Sequence, residues 1–500
     1  MCVDDERKER FEMKMNELLS KLPLVAYEGQ DIEITDMQQD SRLVTPGTLF
    51  ICIDGYTVDG HDYVEKAIAN GAVAILAEKP VEVTTVPVIY VEDTNRAMAI
   101  LAGAFFNYPT HEMNMVAVTG TNGKTTVTHL IEHVLRNVNQ VTGLVGTMYQ
   151  KIGDTIQTTK NTTPDSLTLQ RLFASMREEY VDTAVMEVSS HALVLGRVHG
   201  CDYDVAVFTN LTQDHLDFHK TMEEYAIAKS LLFAQLGNDY RSKRPKFAVV
   251  NKDDNASERM ITATAANVVT YGIINESTFR ATDIVISGKG THFTLLFQNK
   301  AYPIKMQLVG NFNVYNALAA IAATVVQGVP LETAIASIEA VQGVAGRFEL
   351  VNAGQAFPVI VDYAHTPDSL ENVIQTIRDF AKGRIICVVG CGGDRDRTKR
   401  PIMAKIAVDQ ADIAILTSDN PRTEDPMTII NQMEAGVSAE AVYIKEVSRE
   451  KAIQIAVSEA QEDDVILIAG KGHETYQIIG DVTHHFDDRE VAEEAIKNLK

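Results

Sequence analysis

The chain is 500 residues long, 45% of them hydrophobic, with 45 basic against 68 acidic side chains and a formal net charge of −23. One hydrophobic core does not grow to that length, so about two to four domains are expected, and the acidic surface argues against nucleic acid or an anionic membrane as a partner. No apolar run reaches about 18 residues and the start, Met1 to Glu9, is charged rather than an apolar leader, so the expectation is a cytoplasmic enzyme, taken as a monomer, with no membrane insertion.

From about Ile32 to Val91, strand-like runs at Thr48–Ile53, Ala72–Ala77 and Val86–Val91 alternate with a helix-like stretch, Tyr63–Asn70, which is the rhythm of a small α/β domain. An apolar helix pattern over Ala97–Phe106 runs into Tyr108-Pro-Thr-His-Glu-Met113, a linker by composition. A second domain opens near residue 114 with the strand before a glycine loop. Its further strands, Thr183–Val188, Val205–Phe208 and Phe247–Val250, are continuous apolar runs separated by helix-length segments, the signature of a buried parallel sheet. Gly343–Phe348 reads as a hinge to a third domain, in which Val359–Val361, Ile385–Val389, Ile413–Leu416 and Val465–Ile468 are strands. Leu370, Val373, Ile374 and Ile377 mark one helix face there. Cys2, Cys52, Cys201, Cys387 and Cys391 are scattered without paired metal-ligand spacing and read as reduced bystanders.

The run Val116 to Thr126 carries the most chemistry. A short apolar strand breaks into Gly120, Thr121, Asn122, Gly123, Lys124, Thr125 and Thr126 before a helical pattern begins. The two glycines let backbone N–H groups approach an oxyanion, Lys124 offers a point charge to the β/γ-phosphates, and Thr125 offers a hydroxyl to Mg²⁺. The longer P-loop pattern would place glycine where Val118 stands, so only the tight form is present. Ligands of open parallel sheets lie beyond the carboxyl ends of the strands. Polar clusters gather there: Glu187 to His191, Thr209 to His215, Asp362 to His365, Gly392 to Arg395, Asp419 to Arg422 and Gly470 to Glu474. Singly, Ser189-Ser190 also fits a helix cap, His215 a hydrogen-bonded loop residue, and Asp419-Asn-Pro a plain turn. Glu187 and His215 with Thr125 make a sparse ligand set, which suffices for Mg²⁺ on ATP. Lys229 lies in a helical stretch, where such a residue reads as a solvated or phosphate-facing cation.

Taken in order, Asp40-Ser-Arg42, Gly120 to Thr126, Asn161-Thr-Thr163, Glu187 to His191, Asp214 to Asp217, Ala228-Lys229, Asn313 to Asn316, Gly346-Arg347, Asp362 to Pro367 and Gly392 to Arg395 resemble the Mur ligase family over essentially the whole chain. Within that family the chain looks like the members that add the third residue of the peptidoglycan stem peptide to UDP-N-acetylmuramoyl-L-alanyl-D-glutamate, and Asp419-Asn-Pro-Arg422 resembles the form that selects meso-diaminopimelate. The resemblance implies an α/β chain of three domains: a UDP-substrate domain (1–112), a central P-loop ATPase with a mostly parallel sheet (113–345) and a C-terminal Rossmann-like domain for the amino acid (346–500). It implies that Ser41 contacts the uridine diphosphate part and that Thr162, Thr163, Ser189 and Arg197 hold the muramoyl dipeptide. Asn316, Arg347 and Asp362 match positions around adenine, phosphate and ribose. Lys229 matches a carbamylated lysine, CO₂ having made it anionic, which with Thr125, Glu187 and His215 would hold two Mg²⁺. Lys124, Lys229 and His215 are the implied catalytic residues.

The implied reaction passes the ATP γ-phosphoryl group to the D-glutamate γ-carboxylate, because a carboxylate needs a leaving group before an amine attacks it. For the acceptor, meso-diaminopimelate carries one carboxylate more than lysine, and Arg422 supplies a cation able to take it bidentately. Arg395, Asp419, Asn420, Pro421, Gly470 and Glu474 match the rest of that site, Glu474 suiting an ammonium group. The rival readings are the same ligase using L-lysine, a folylpolyglutamate-synthase-like ligase, disfavoured by Asp40-Ser-Arg and Asp419 to Arg422, and a non-catalytic nucleotide-binding regulator.

Overall fold

The computed structural model describes residues 11–25, 27–55, 58–83, 85–159, 161–238, 244–287 and 290–499. Cys2 and the acidic start lie outside them. The fold is α/β, and the chain divides into two compact units. The first comprises 1–117, 139–206 and 238–246; the second comprises 118–138, 207–237 and 247–500.

In the first unit, Asp36–Gln38, Thr48–Ile51, Ala72–Ala77 and Val88–Tyr90 form a four-stranded parallel sheet in sequence order. Strand alternation sorts its side chains. Leu49, Ile51, Ala74 and Leu76 join one cluster with Met98, Leu101 and Phe105 of the helix Thr94–Phe105, while Phe50, Cys52, Ile75 and Ala77 join another with Val64 and Ala67. The helix starts where the Asp93 carboxylate accepts the Arg96 N–H, three residues before the expected Ala97. Tyr63–Asn70 is a 3₁₀ turn, Gly60–Tyr63, followed by a short α-helix, Val64–Ala69. The linker at Tyr108–Met113 contains a second 3₁₀ turn, Pro109–His111. Thr142–Val145 runs parallel to Thr183–Glu187 in the same unit, and Gln150–Ile152 and Thr155–Gln157 continue antiparallel from it.

In the second unit, Phe247–Asn251, Asn267–Gly272 and Phe279–Ser287 run parallel, then Gly290–Phe297 and Lys300–Met306 return antiparallel. That meander was not legible as strands from apolar runs, because its pattern from Thr282 to Ser287 alternates between half-buried and exposed rather than being buried throughout. The alanine-rich helix Asn311–Val325, buried along most of its length, packs against the phosphate-loop helix Lys124–Asn137.

Towards the C-terminus of this unit lies a six-stranded sheet in the order Glu349–Val351, Val359–Asp362, Val465–Ala469, Ile385–Cys391, Ile413–Ser418, Ile444–Lys445, parallel except for the first strand. Ile385, Cys387 and Val389 face the helices Pro367–Arg378, Lys399–Gln410 and Pro426–Glu434, while Ile386 and Val388 face Arg449–Glu459 and Asp488–Lys497. Helices on both faces of a parallel sheet give the Rossmann-like arrangement. Its strands end at Asp362, Cys391, Ser418 and Ala469, immediately before or at the polar clusters singled out above.

Candidate active site

The second unit gathers the phosphate loop. The strand Asn114–Thr119 leads to Gly120 at φ 153° and Gly123 at φ 86°, both left-handed, and the helix begins at Lys124. A Cβ on Gly120 would lie 1.8 Å from Thr209 Oγ1, and one on Gly123 2.6 Å from Asn316 Oδ1, so both glycines are required by close approach as well as by φ. The loop is tied to the segment after the strand Val205–Phe208. Asn122 N–H donates to Asn210 Oδ1 (2.8 Å), Thr209 Oγ1 donates to Asn122 O (2.6 Å), and Thr212 N–H donates to Thr121 Oγ1 (3.1 Å). Asn122 Nδ2 also donates to Asp368 Oδ2 (2.8 Å) at the start of the helix Pro367–Arg378. Asn210 and Thr212, inside the Thr209 to His215 cluster, and Asp368, outside every cluster singled out above, support the loop through partners from about 90 to 246 positions away, which residue type alone did not reveal. Lys124 Nζ donates to the Gly120 and Thr121 carbonyls (2.9 and 2.8 Å), which places the ammonium over the cradle.

Arg347, Asp362 and Asn316 join this loop. Arg347 Nη2 donates to Thr125 Oγ1 (3.0 Å), and its guanidinium lies 4.5 Å from the Tyr363 ring centroid. Asp362 accepts the Phe348 N–H (2.7 Å); burial raises its carboxyl to about 6, opposed by Arg347. The Gly343–Phe348 segment is a tight turn closed by a Val344–Arg347 bridge, where a Cβ on Gly346 would lie 2.0 Å from His473 N. Lys229 is 1% exposed on the helix Met222–Ala234, its Nζ 4.3 Å from the Tyr225 ring centroid. Burial holds its amine well below the usual lysine range, with Lys124 adding repulsion and Asp214 and Asp254 opposing. The solvated-cation reading of Lys229 is therefore wrong: its exposed neighbours on the helix are Glu223, Glu224 and Ile227. His215 takes a left-handed φ of 55° and sets Nε2 3.4 Å from Asp214 Oδ2. Among the described residues no group of three His, Cys, Asp or Glu side chains is close enough to cage a metal.

At the other strand ends of the C-terminal sheet, Arg395, Asp419, Asn420, Pro421, Arg422, Gly470 and Glu474 come together. A Cβ on Gly392 would lie 3.0 Å from Arg422 Nη1 and 3.8 Å from Arg395 Cγ, so the two arginines flank one glycine. Arg422, at φ 52°, donates to the Gly393 carbonyl (2.8 Å), and Arg395 donates to the Asp394 carbonyl (2.9 Å). Among the described residues neither guanidinium has a carboxylate at ion-pair distance. Burial lowers Arg395 from its ordinary value and the neighbouring Arg422 lowers it further. Asn420 is 1% exposed and fully engaged: Nδ2 donates to Glu474 Oε2 (2.8 Å), and Oδ1 accepts from Lys471 Nζ (3.0 Å) and Ile478 N–H (3.0 Å). Glu474 is pushed up by burial and by Asp419, against Lys471. Asp419 is 9% exposed, and a Cβ on Gly470 would lie only 2.9 Å from its Oδ2, so the segment is packed against that strand end rather than lying open to solvent.

The first unit assembles the remaining expected residues. Thr163 Oγ1 donates to Glu187 O (2.9 Å), Ser189 N–H donates to Thr163 Oγ1 (3.1 Å), and Arg197 Nη1 donates to Thr163 O (3.1 Å). Ser189 also caps Ser190–Val194, accepting the Ala192 N–H, as the cap reading has it. Thr162 and Thr147 hydroxyls lie 3.0 Å apart, and the fully buried Glu187 carboxylate accepts both the N–H and the hydroxyl of Thr147. Ser41 is buried, its carbonyl accepting from Asn70 Nδ2 (2.8 Å).

A phosphate loop with its lysine over the loop carbonyls, in one unit with a Rossmann-like sheet whose strand ends bring two arginines together, is the architecture of a nucleotide-using α/β enzyme. Residues 33–106 match the catalytic domain of the Mur ligase family, 118–324 the Mur ligase middle domain and 346–472 the Mur ligase glutamate ligase domain. The chain is 57% identical over 487 residues (97% of it, 98% of the relative) to a UDP-N-acetylmuramoyl-L-alanyl-D-glutamate--2,6-diaminopimelate ligase of Bacillus cereus. It is 58% identical over 486 residues, covering 97% and 99%, to one of Listeria monocytogenes. A solved structure of such a ligase superposes with TM-score 0.68 at 33% identity over 96% of this chain and 99% of that one. A folylpolyglutamate synthase of Mycobacterium tuberculosis shares the fold alone, at 18% identity and TM-score 0.62 over 81% and 95%. The chain belongs to the Mur ligase family.

Proposed function

We propose that this chain joins meso-diaminopimelate to the D-glutamate γ-carboxylate of UDP-N-acetylmuramoyl-L-alanyl-D-glutamate, using ATP, in cytoplasmic synthesis of a peptidoglycan precursor. Near-full-length relatives carrying that name support the reading. The single structural observation that carries the choice of acceptor is the pair Arg395 and Arg422 flanking Gly392, neither of which has a carboxylate at ion-pair distance among the described residues. Diaminopimelate brings a second carboxylate that lysine lacks, and a guanidinium left without it penalises lysine. Glu474, with one oxygen held by Asn420 and Lys471, offers its other oxygen to an ammonium group.

The γ-phosphoryl group moves to the D-glutamate carboxylate, giving ADP and an acyl phosphate. The acceptor amine attacks the acyl carbon, and phosphate leaves as the amide bond forms. Lys124 and the backbone N–H groups of the loop meet the charge of the transferring phosphoryl group, and Arg347 fixes the Thr125 hydroxyl. Bound Mg²⁺ supplies further neutralisation of the phosphate oxygens, with the Thr125 hydroxyl and His215 as candidate ligands. Burial disfavours the charged form of the Lys229 amine, and the uncharged amine is the form that adds CO₂, releasing a proton, to give a carbamate, which supports that modification. Asp362 accepts from ribose, Asn316 lies beside adenine, and Ser41, Thr162, Thr163, Ser189 and Arg197 hold the UDP-muramoyl dipeptide. The family matches support domains at 1–112, 113–345 and 346–500. No described helix is long and apolar enough to cross a membrane, and the enzyme acts as a monomer.

The test is phosphate release from ATP with the UDP-muramoyl dipeptide and meso-diaminopimelate, L-lysine or no amino acid, with product masses checked. Release and a tripeptide mass with diaminopimelate alone support the proposal. Equal use of lysine removes the Arg395 and Arg422 argument, and no acceptor-dependent release removes the ligase reading.

A further inference from the structure

Two guanidiniums held side by side repel, so something other than the ligand must fix their separation. The loop Gly392–Arg395 and the loop Asn420–Glu424 are joined by a set of bonds centred on the Glu424 carboxylate, which pairs with the buried Arg400 and, at 3.3 Å, with the exposed Arg397. Arg400, 0% exposed, donates Nη2 to Glu424 Oε1 (2.8 Å) and Nη1 to Glu424 Oε2 (3.0 Å), a two-pronged fit to the carboxylate. Arg400 Nη2 also donates to the Gly392 carbonyl (3.0 Å), the residue between the two arginines. Glu424 Oε1 accepts the Asp394 N–H (2.7 Å), next to Arg395 in sequence. Asp394 closes the ring, its carboxylate accepting the Thr423 hydroxyl (2.7 Å) and N–H (3.2 Å) beside Arg422. Each arginine is thus one residue away from an atom of the clasp.

We propose that Glu424 is a positioning residue for acceptor recognition: locked by Arg400, it holds Arg395 and Arg422 at the spacing that takes the acceptor's second carboxylate. This rests on the acceptor reading above. A desolvated ion pair adds little to stability over an apolar pair of the same volume, so its value here lies in geometry. The Arg400 hydrogen bonds hold the Glu424 carboxyl down to about 2, so the clasp keeps its charge at working pH. Glu424 does not contact substrate; it acts through the two arginines.

The test compares wild type, Glu424→Ala and Glu424→Gln by kcat and KM for meso-diaminopimelate, L-lysine, ATP and the UDP-muramoyl dipeptide, with thermal melting of each. We expect Glu424→Ala to raise KM for diaminopimelate by about tenfold or more, with KM for ATP and dipeptide within about twofold, and to lower the diaminopimelate-to-lysine ratio of kcat/KM by a similar factor. Glu424→Gln, keeping an acceptor for Asp394 without the charge, falls between. If the alanine variant does not fold, the glutamine variant decides. An unchanged acceptor ratio in a folded variant, an equal loss towards both acceptors, or failure of both variants to fold overturns the proposal. A wild type that uses lysine as well as diaminopimelate instead removes the acceptor reading, and the proposal with it.

Discussion

At the scale of single residues, burial gives the site its chemistry. Lys124 and Lys229 are both lysines of one unit, yet one lies over the loop carbonyls while the other is 1% exposed against Tyr225. Replacing Lys124 by alanine removes the charge nearest the phosphates without opening a core cavity. The expected outcome is a fall in kcat of about a thousandfold or more with little change in melting temperature, read by phosphate release and a thermal scan. Asp362 makes a pH-dependent prediction. Its carboxyl moves from 3.8 unfolded to about 6 folded, so the folded state holds the extra proton between those values. Its contribution to stability is complete below about pH 3.8 and lost as pH rises through about 6. Asp362→Asn should remove that slope, so wild type loses stability relative to the variant between those pH values in urea titrations.

Among the elements, the C-terminal sheet shows how a fold fixes a site from beneath. Arg449 and Asp488 are both 0% exposed and paired through two contacts, and Arg449 Nη2 also donates to the Ala469 carbonyl at a strand end next to Gly470. That ties the helix Asp488–Lys497 to the strand that presents Gly470 and Glu474. Asp488→Ala leaves an arginine buried without its counter-charge and should cost about 3–5 kcal/mol, measured by denaturant unfolding. The hairpin Tyr476–Ile479 with Val482–His485 works in the same way from the other side. Gln477 Nε2 donates to Asp419 O (2.6 Å), and Arg422 N–H donates to Ile478 O (3.1 Å), so a short sheet holds the Asp419 to Arg422 segment.

For the molecule as a whole, the acidic balance makes each anion site a local achievement. A net charge of −23 opposes binding of ATP and of a UDP-linked substrate alike, and the cations that overcome it are those fixed at strand ends. Mg²⁺ with ATP should therefore bind the folded state alone. At a free concentration a hundred times its dissociation constant, Mg-ATP should add about 2.7 kcal/mol of stability, seen as a higher melting temperature that EDTA lowers. Chelation should also abolish phosphate release, and added MgCl₂ should restore it.

The residues themselves determined the α/β class, the phosphate loop and most of the strands, because buried parallel strands are continuous apolar runs and a tight glycine loop before a helix has few other uses. Ala72–Ala77 and Val205–Phe208 coincide with the strands observed. The ordered motifs also carried the family; several sit where a strand stops, while Ala228-Lys229 and Asn313 to Asn316 lie on helices. What only the tertiary structure decided is which polar residues touch. Asn122 meets Asp368 across 246 positions, Arg347 meets Thr125 across 222, and Glu424 meets Arg400 from an adjoining strand-to-helix loop. Hydrogen bonds and charge pairs carry no period along the chain, so nothing local to Glu424 or Lys229 in sequence announces its partner; the packing of strands and helices brings the partners together and, by excluding water, sets their charge.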